Sequence, residues 1–323
     1  MMQFLTLLVA LLLDRLVGDP PWLWQRLPHP VVLFGAAISA CDRGLNRAHW
    51  SPRRRRLGGV LTIVILLALS LALGVFLHRL FGHLGPLGFV LEIIITAIFL
   101  AQKSLTDHVS AVAVGLRDGG IAGGRKAVSL IVGRDPETLD EPGVCRAAIE
   151  SLAENFADGV VAPALWYAAL GLPGILAYKM LNTADSMIGH KSDKYLDFGW
   201  ASARLDDLAN WPAARLSALL IAAGALWHSG RRAAGRSLSL ALRDHGLHRS
   251  PNSGWPEAAM AGALDIGLAG PRVYAGQPVS EPMMNGAGRR DLGSADIDAA
   301  VAVLQAAWLS LWLAVGAALI VAL

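Results

Sequence analysis

The chain has 323 residues, 54% hydrophobic and 16% charged, with a mean hydropathy of +0.47, a composition that excludes an ordinary soluble globular domain. Its net charge of +3 does not signal a nucleic-acid partner, because the bases cluster beside apolar runs, as at Arg53 to Arg56, in the manner of membrane-flanking loops. Two cysteines, Cys41 and Cys145, make neither a disulfide framework nor a Cys-x-x-Cys pair, which excludes a secreted disulfide scaffold and a zinc ribbon.

Met1–Leu13 is apolar, lacks a basic leader and runs into Asp14, Arg15 and Gly18-Asp19-Pro20 rather than a cleavage site, so a retained membrane segment is expected. Val31–Ala40 is apolar but too short to cross. The basic loop Arg43 to Arg56 should be cytoplasmic. It precedes Leu57–Leu77, a run of 21 residues without a charge, which reaches the roughly 20 needed to span hydrocarbon. Gly85–Gln102 is a further candidate span with Glu92 near its middle. An ionised side chain on lipid there costs about 2.5–3.5 kcal/mol, so Glu92 should face protein or water.

Lys103–Asp158 has the composition of a water-exposed helical region. Gly159–Tyr178 is uncharged but broken by Pro163, Gly171, Pro173 and Gly174, which predicts a re-entrant or broken helix pair. A second polar block, Lys179–Asn210, leads to the short apolar stretch Leu216–Trp227. A third, His245–Asp298, is rich in Gly and Pro. The chain closes on Ala299–Leu323, 25 residues without a charge. Strand signals are almost absent, and no repeat or low-complexity tract is visible. The expected architecture is an all-α polytopic integral membrane protein with about four to six membrane-embedded helices, forming one domain over 1–323.

The scarce charges are placed unevenly. Glu150, Glu154 and Asp158 follow at i, i+4 and i+8, within about 80° of arc on one helix face. Three stacked carboxylates beside Asn155 suit a hard cation such as Mg²⁺, which takes oxygen ligands and shares them with substrate phosphate; a solvated acidic face is the plain alternative. After the broken apolar pair, Lys179, Asn182, Asp185 and Ser186 fall on one side of a helix, a lysine for phosphate beside an amide and a carboxylate that could hold a metal or orient an amine. The two acidic faces are expected to meet at the membrane boundary. Arg204, Asp207 and Asn210 share another face, with Pro212 kinking or ending the helix beyond. Taken alone, that cluster reads as a structural Arg–Asp pair.

In His248-Arg249-Ser250-Pro251-Asn252-Ser253-Gly254-Trp255-Pro256-Glu257, Gly254 permits a turn and Pro256 suits a first helical position. Backbone N–H groups at such a helix start bind anions, and Arg249 could add a bidentate phosphate contact. Gly119-x4-Gly124 has the glycine spacing of a phosphate loop, but Arg125 and Lys126 stand where Lys and Ser/Thr are required. His245 and His248 lack the context of a helical zinc site and read as loop histidines. Val132 to Glu137 reads as a turn, with Asp135 as cap, Pro136 at the first helical position and Arg134 within reach of a ligand.

These motifs together resemble the integral-membrane adenosylcobinamide-phosphate synthase (cobinamide synthase) family. The resemblance rests on Asp14 with Gly18-Asp19-Pro20, Pro28-His29-Pro30-Val31, Val132-Gly-Arg134-Asp135-Pro136, Glu150-Ser-x-x-Glu154-Asn155-x-x-Asp158 and Lys179-x-x-Asn182-Thr183-x-Asp185-Ser186-Met187. It continues through Ala203-Arg204-x-Asp206-Asp207, Pro212-Ala-x-Arg215, His248-Arg249-Ser250-Pro251-Asn252, Gly254-x-Pro256-Glu257-Ala258 and Gly270-Pro271-x-x-Tyr274-x-Gly276, from about Asp14 to Tyr274.

The resemblance implies ATP-dependent amide ligation in the bacterial cytoplasmic (inner) membrane, with a multi-pass chain and an active site facing the cytoplasm. A propionate of adenosylcobyric acid and the amine of (R)-1-amino-2-propanol O-phosphate would give adenosylcobinamide phosphate. ATP is then a co-substrate and Mg²⁺ the cofactor, and the surroundings are membrane lipid and other corrinoid-pathway enzymes. Residue type and placement, rather than the resemblance, suggest the roles. Glu150, Glu154, Asp158 and Asp185 are the metal candidates, and Lys179, Arg204 and Arg249 the groups for transferring phosphate. Arg134, Asn182, Ser250 and Asn252 are further substrate-binding candidates, and Asp206 or Asp207 the acceptor of the amine proton. The rival readings are a membrane Mg-dependent prenyl- or phosphatidyl-type transferase, which makes a lipid product without ATP, and a transporter, which moves its substrate unchanged.

Overall fold

The computed structural model describes residues 1–133, 136–274, 277–279 and 281–323. Its helices, in chain order, are α1 (Met2–Val17), α2 (Pro21–Trp24), α3 (Pro30–Leu45), α4 (Pro52–His83), α5 (Pro86–Ile98), α6 (Gln102–Val128) and α7 (Glu141–Phe156). They continue as α8 (Ala162–Leu170), α9 (Leu172–Ile188), α10 (Trp200–Ser229), α11 (Arg231–Asp244), α12 (Gly254–Leu264) and α13 (Ser294–Val321). Proline at the first turn begins α3, α4, α5, α7 and α9, where its missing N–H costs nothing and its fixed φ suits the helix. Side chains cap three of these starts: His29 Nδ1 accepts from Val31 N at 3.2 Å, Ser51 Oγ from Arg54 N at 3.4 Å, and Asp140 Oδ1 from Gly143 N at 2.8 Å.

The chain is an all-α polytopic membrane protein. Among the described residues three helical stretches are long and apolar enough to cross a membrane: Pro52–His83, Pro86–Val128 (α5 and α6, separated by a short break) and Ser294–Val321. At 32 residues, α4 is about 48 Å long, more than the roughly 30 Å of hydrocarbon. Its Leu57, Val64, Leu69 and Phe76 are exposed, as a lipid-facing surface requires.

The broken pair foreseen over Gly159–Tyr178 is present as a π-helical turn at Ala157–Val161, then α8, then a break at Gly171 (φ +67°), then α9. Of the two outcomes expected at Pro212, a kink or an end to the helix, the end is corrected. Pro212 lies inside α10, which continues unbroken to Ser229. The Gly- and Pro-rich third block holds two small antiparallel pairs, β1 (Leu268–Ala269) with β4 (Met283–Met284) and β2 (Arg272–Tyr274) with β3 (Gln277–Val279), in register Leu268 to Met284 and Val273 to Pro278. Segments of two or three residues are too short to leave a period-two pattern in the sequence. Gly119-x4-Gly124 lies within α6, broken only at Gly120 (φ +58°).

The chain divides into two compact units interleaved in sequence: Met1–Leu100 with Ala162–Asn210, and Ala101–Val161 with Trp211–Leu323. Within the first, α4 lies against α9 so closely that a Cβ on Gly74 would overlap the backbone of Pro173. Small residues permit such helix contacts where lipid supplies no hydrophobic drive. Within the second, α11 and α12 pair through Arg236 Nε to Gly262 O and Ser237 Oγ to Ala259 O, both 2.8 Å. α6 is tied to α13 by Trp312 Nε1 to Gln102 Oε1 at 3.0 Å and Arg117 Nη1 to Asp298 Oδ2 at 2.6 Å.

Candidate functional site

One polar cluster of the first unit lies where the second half of α9 meets the first half of α10. Asp206 is only 7% exposed. Its Oδ2 accepts from Asn210 Nδ2, one turn along α10, at 2.9 Å, and its Oδ1 has a longer contact, 3.5 Å, from Asn182 Nδ2 on α9. Asn210 Oδ1 in turn accepts from Tyr178 Oη at 2.8 Å. Burial pushes the Asp206 carboxyl up to about 7; Asp185 adds to the rise and the two amide contacts oppose it. Asp207 is half-buried, and burial raises its carboxyl against the pull of Arg204 and Lys191. The pairing expected for Arg204 and Asp207 is thus present as electrostatic attraction.

Lys179, Asn182 and Asp185 all lie on α9 and are half-buried, whereas Arg204 is exposed. Sequence reasoning missed Tyr178 and Lys191 as members of this group, and it set Asn210 beside Arg204 and Asp207 rather than beside Asp206. Tyr178 and Asn210 were detectable in principle, since Asn210 is one turn from Asp206 and a buried carboxylate needs donors.

The second unit builds a different cluster on α7 and the start of α12. Glu150 is 3% exposed, and its Oε1 accepts from the backbone N–H of Ala269 at 2.7 Å. Ala269 has φ +58°, a left-handed conformation that a residue with a Cβ rarely adopts. Glu150 therefore anchors a strained bend. One turn on, Glu154 Oε1 accepts from Ser253 Oγ at 2.8 Å, which ties α7 to the residue preceding α12. Asp158 sits half-buried in the π-helical turn. Asn155 is exposed, and its amide donates back to Ser151 O at 2.9 Å.

The turn before α12 is organised by its own side chains. His248 Nδ1 accepts from Ser250 N at 2.9 Å, and Ser250 Oγ accepts from the backbone N–H groups of Asn252 and Ser253, each at 3.3 Å. Since Nδ1 is an acceptor, Nε2 carries the proton and faces Glu257 Oε1 at 3.6 Å. His248 is thus a loop histidine that organises its own turn, its side chain 9% exposed. Asn252 is buried, with Arg215 Nη1 donating to its Oδ1 at 3.3 Å. Arg249 is exposed and lies 3.7 Å from Glu281 Oε1. The ring of Trp255 stacks on His245 at 4.0 Å between centroids and carries the Arg215 guanidinium 4.9 Å from its centre. Arg134 lies outside the described residues.

Among the described residues no group of three or more His, Cys, Asp or Glu is arranged to hold a metal ion by itself. Glu150, Glu154 and Asp158 belong to the second unit and Asp185 to the first. Carboxylate oxygens are the donors that Mg²⁺ takes when one or two of them share it with substrate phosphate; Glu150 Oε1 and Glu154 Oε1 already accept from the Ala269 N–H and from Ser253 Oγ.

The family model described as CobD/Cbib protein matches residues 7–304. Proteins described as cobalamin biosynthesis protein CobD are similar over nearly the whole chain. The one from a Sinorhizobium species is 69% identical over 303 residues, 94% of each chain. That of Brucella suis is 54% identical over 299 residues, 93% of this chain and 91% of its own. That of Rhodobacter capsulatus is 46% identical over 310 residues, 96% and 95%. No solved structure matches.

Proposed function

The chain belongs to the CobD/Cbib protein family and serves cobalamin biosynthesis, and from that premise we propose that it is an ATP-dependent amide ligase. In this reading it joins a propionate of adenosylcobyric acid to the amine of (R)-1-amino-2-propanol O-phosphate. The observation that carries the proposal is Asp206, a buried carboxyl raised to about 7 between two side-chain amides.

An amine attacks an activated carboxyl only after losing a proton, and a base works best with a pKa near the working pH. Asp206 has that property. Its Oδ atoms are held by Asn210 and Asn182, so the proton has a fixed destination. Asp207, drawn towards Arg204 and Lys191, is better suited to orienting those cations. Lys179 supplies a point charge for phosphate from α9, and Arg204 does so from α10.

In the second unit, Arg249 would reach a phosphate with its guanidinium fork. The roles of Ser250 and Asn252 are narrower: their side chains shape the turn that presents Arg249. Mg²⁺, held through one or two of Glu150, Glu154, Asp158 and Asp185, would neutralise charge on the transferring phosphoryl group. The same reading places the chain in the bacterial inner membrane with these clusters on the cytoplasmic side, next to other enzymes of the pathway. Growth tests it: a strain lacking this gene should grow when fed cobinamide and fail on cobyric acid. Growth on cobyric acid would overturn the proposal.

A further inference from the structure

In the first unit, the last turns of α4, the first turns of α5, the start of α1 and the α8–α9 turn enclose a cavity of about 350 Å³, within the size range of small-ligand sites. Its walls are mostly apolar, with Gln3, His78, Arg79 and Glu92 as the groups that could fix a ligand's orientation. Glu92 is the carboxylate inside an apolar span that the cobalamin chemistry above leaves without a role. It is 12% exposed, accepts from Tyr167 Oη at 2.7 Å, and lies 3.1 Å from His78 Nδ1. Arg79 is exposed, and no carboxylate among the described residues pairs with it. An anionic group and a cationic group thus share one cavity wall.

Its position along the helices matters as much. Arg54 and His78 are 24 residues apart on α4, a rise of about 36 Å, which exceeds the roughly 30 Å of hydrocarbon. With Arg53 to Arg56 at the cytoplasmic face, the cavity lies at the opposite interface. α9 gives the same answer, since Pro173 lines the cavity and Asp185 is 12 residues and about 18 Å further along. Phe76 and Leu80 on α4, Leu84 in the turn after it, and Leu87 and Val90 on α5 are exposed, each next in sequence to a residue that lines the cavity.

We propose that this cavity binds the headgroup of an aminophospholipid of the outer leaflet, with its primary ammonium on Glu92, its phosphate on Arg79 and His78, and its acyl chains along the exposed apolar side chains of α4 and α5. A primary ammonium can donate hydrogen bonds to a carboxylate, which a quaternary ammonium cannot. A headgroup without an ammonium leaves Glu92 facing only the phosphate.

The test is thermal unfolding of the purified full chain in a nonionic detergent, titrated with short-chain phosphatidylethanolamine, phosphatidylcholine, phosphatidylglycerol and free phosphoethanolamine. Phosphatidylethanolamine should raise Tm saturably, at a half-saturating concentration at least about tenfold lower than the other three, a ratio worth about 1.4 kcal/mol. Arg79→Ala and Glu92→Gln should each weaken it by about tenfold. Gln can still accept from Tyr167, so the second variant keeps that contact. Equal stabilisation by phosphatidylcholine or phosphatidylglycerol would overturn the proposal. So would free phosphoethanolamine saturating at the same concentration, which would mean a soluble ligand, or variants that respond like the parent.

Discussion

Asn210 Nδ2 and Asp206 Oδ2 lie 2.9 Å apart, one turn apart on α10, in surroundings where Asp206 is 7% and Asn210 2% exposed. The amide lowers the cost of burying the carboxyl but does not remove it, so Asp206 stays well above the usual carboxylate range, at about 7. The group is neutral below that value and charged above it.

This has a consequence for stability. The folded-state value of about 7 exceeds the ordinary 3.8 of an aspartate carboxyl, so between these limits the folded chain binds more protons than the unfolded one. Stability from this group is then greatest at acid pH and falls as pH rises from about 4 to about 7, by at most ~4 kcal/mol. Asp206→Asn should flatten that part of the profile, read as Tm in detergent against pH. An unchanged slope would assign the pH dependence elsewhere.

Glu150 has a structural duty that is separable from metal binding. Glu150→Ala removes the acceptor for the Ala269 N–H and leaves it buried, which should lower stability by about 2–4 kcal/mol. Glu150→Gln keeps an acceptor and should cost less than about 1.5 kcal/mol while lowering activity if the carboxylate shares Mg²⁺. Thermal unfolding and turnover measured on both variants distinguish the two duties.

Gly74 sets the approach of α4 to α9. A Cβ there meets the Pro173 backbone, which cannot rotate away as a side chain would, so Gly74→Val should destabilise by about 3 kcal/mol or more. Gly82, with open space around its Cβ position, is the control, and Gly82→Ala should be close to neutral. Folded yield by size exclusion in detergent and Tm report both.

Arg249→Ala should raise KM for the phosphorylated substrate or ATP by about tenfold or more, with Tm little changed, since its pairing with Glu281 is exposed on the arginine side. A fall in Tm with unchanged KM would make Arg249 a structural residue.

The membrane class and the broken pair around Gly171 were legible because both rest on composition and on Gly and Pro, which act locally. At Pro212 local rules allow a kink or an end, and α10 runs on to Ser229 on packing that no local rule encodes. The short β pairs carry too few residues for a period. At the site, the clusters Glu150–Glu154 and Asn182–Asp185 could be found by helical spacing. What spacing could not show was direction: Glu150 turns to Ala269, Asn155 back to Ser151, and Asp206, rather than Asp207, to Asn182 and Asn210. The Glu150 choice is made by a neighbour distant in sequence, Ala269 being 119 residues away, and the Asp206 choice in part by Asn182, 24 residues away.

The most direct measurement is mass spectrometry of the corrinoid product after incubating the purified chain with adenosylcobyric acid, (R)-1-amino-2-propanol O-phosphate, Mg²⁺ and ATP, with nucleotide consumption followed in the same tube. The account predicts a product heavier than cobyric acid by the amine less one water, formed in step with ATP loss and abolished in Asp206→Asn. An unchanged corrinoid, or a product formed without ATP consumption, would contradict it.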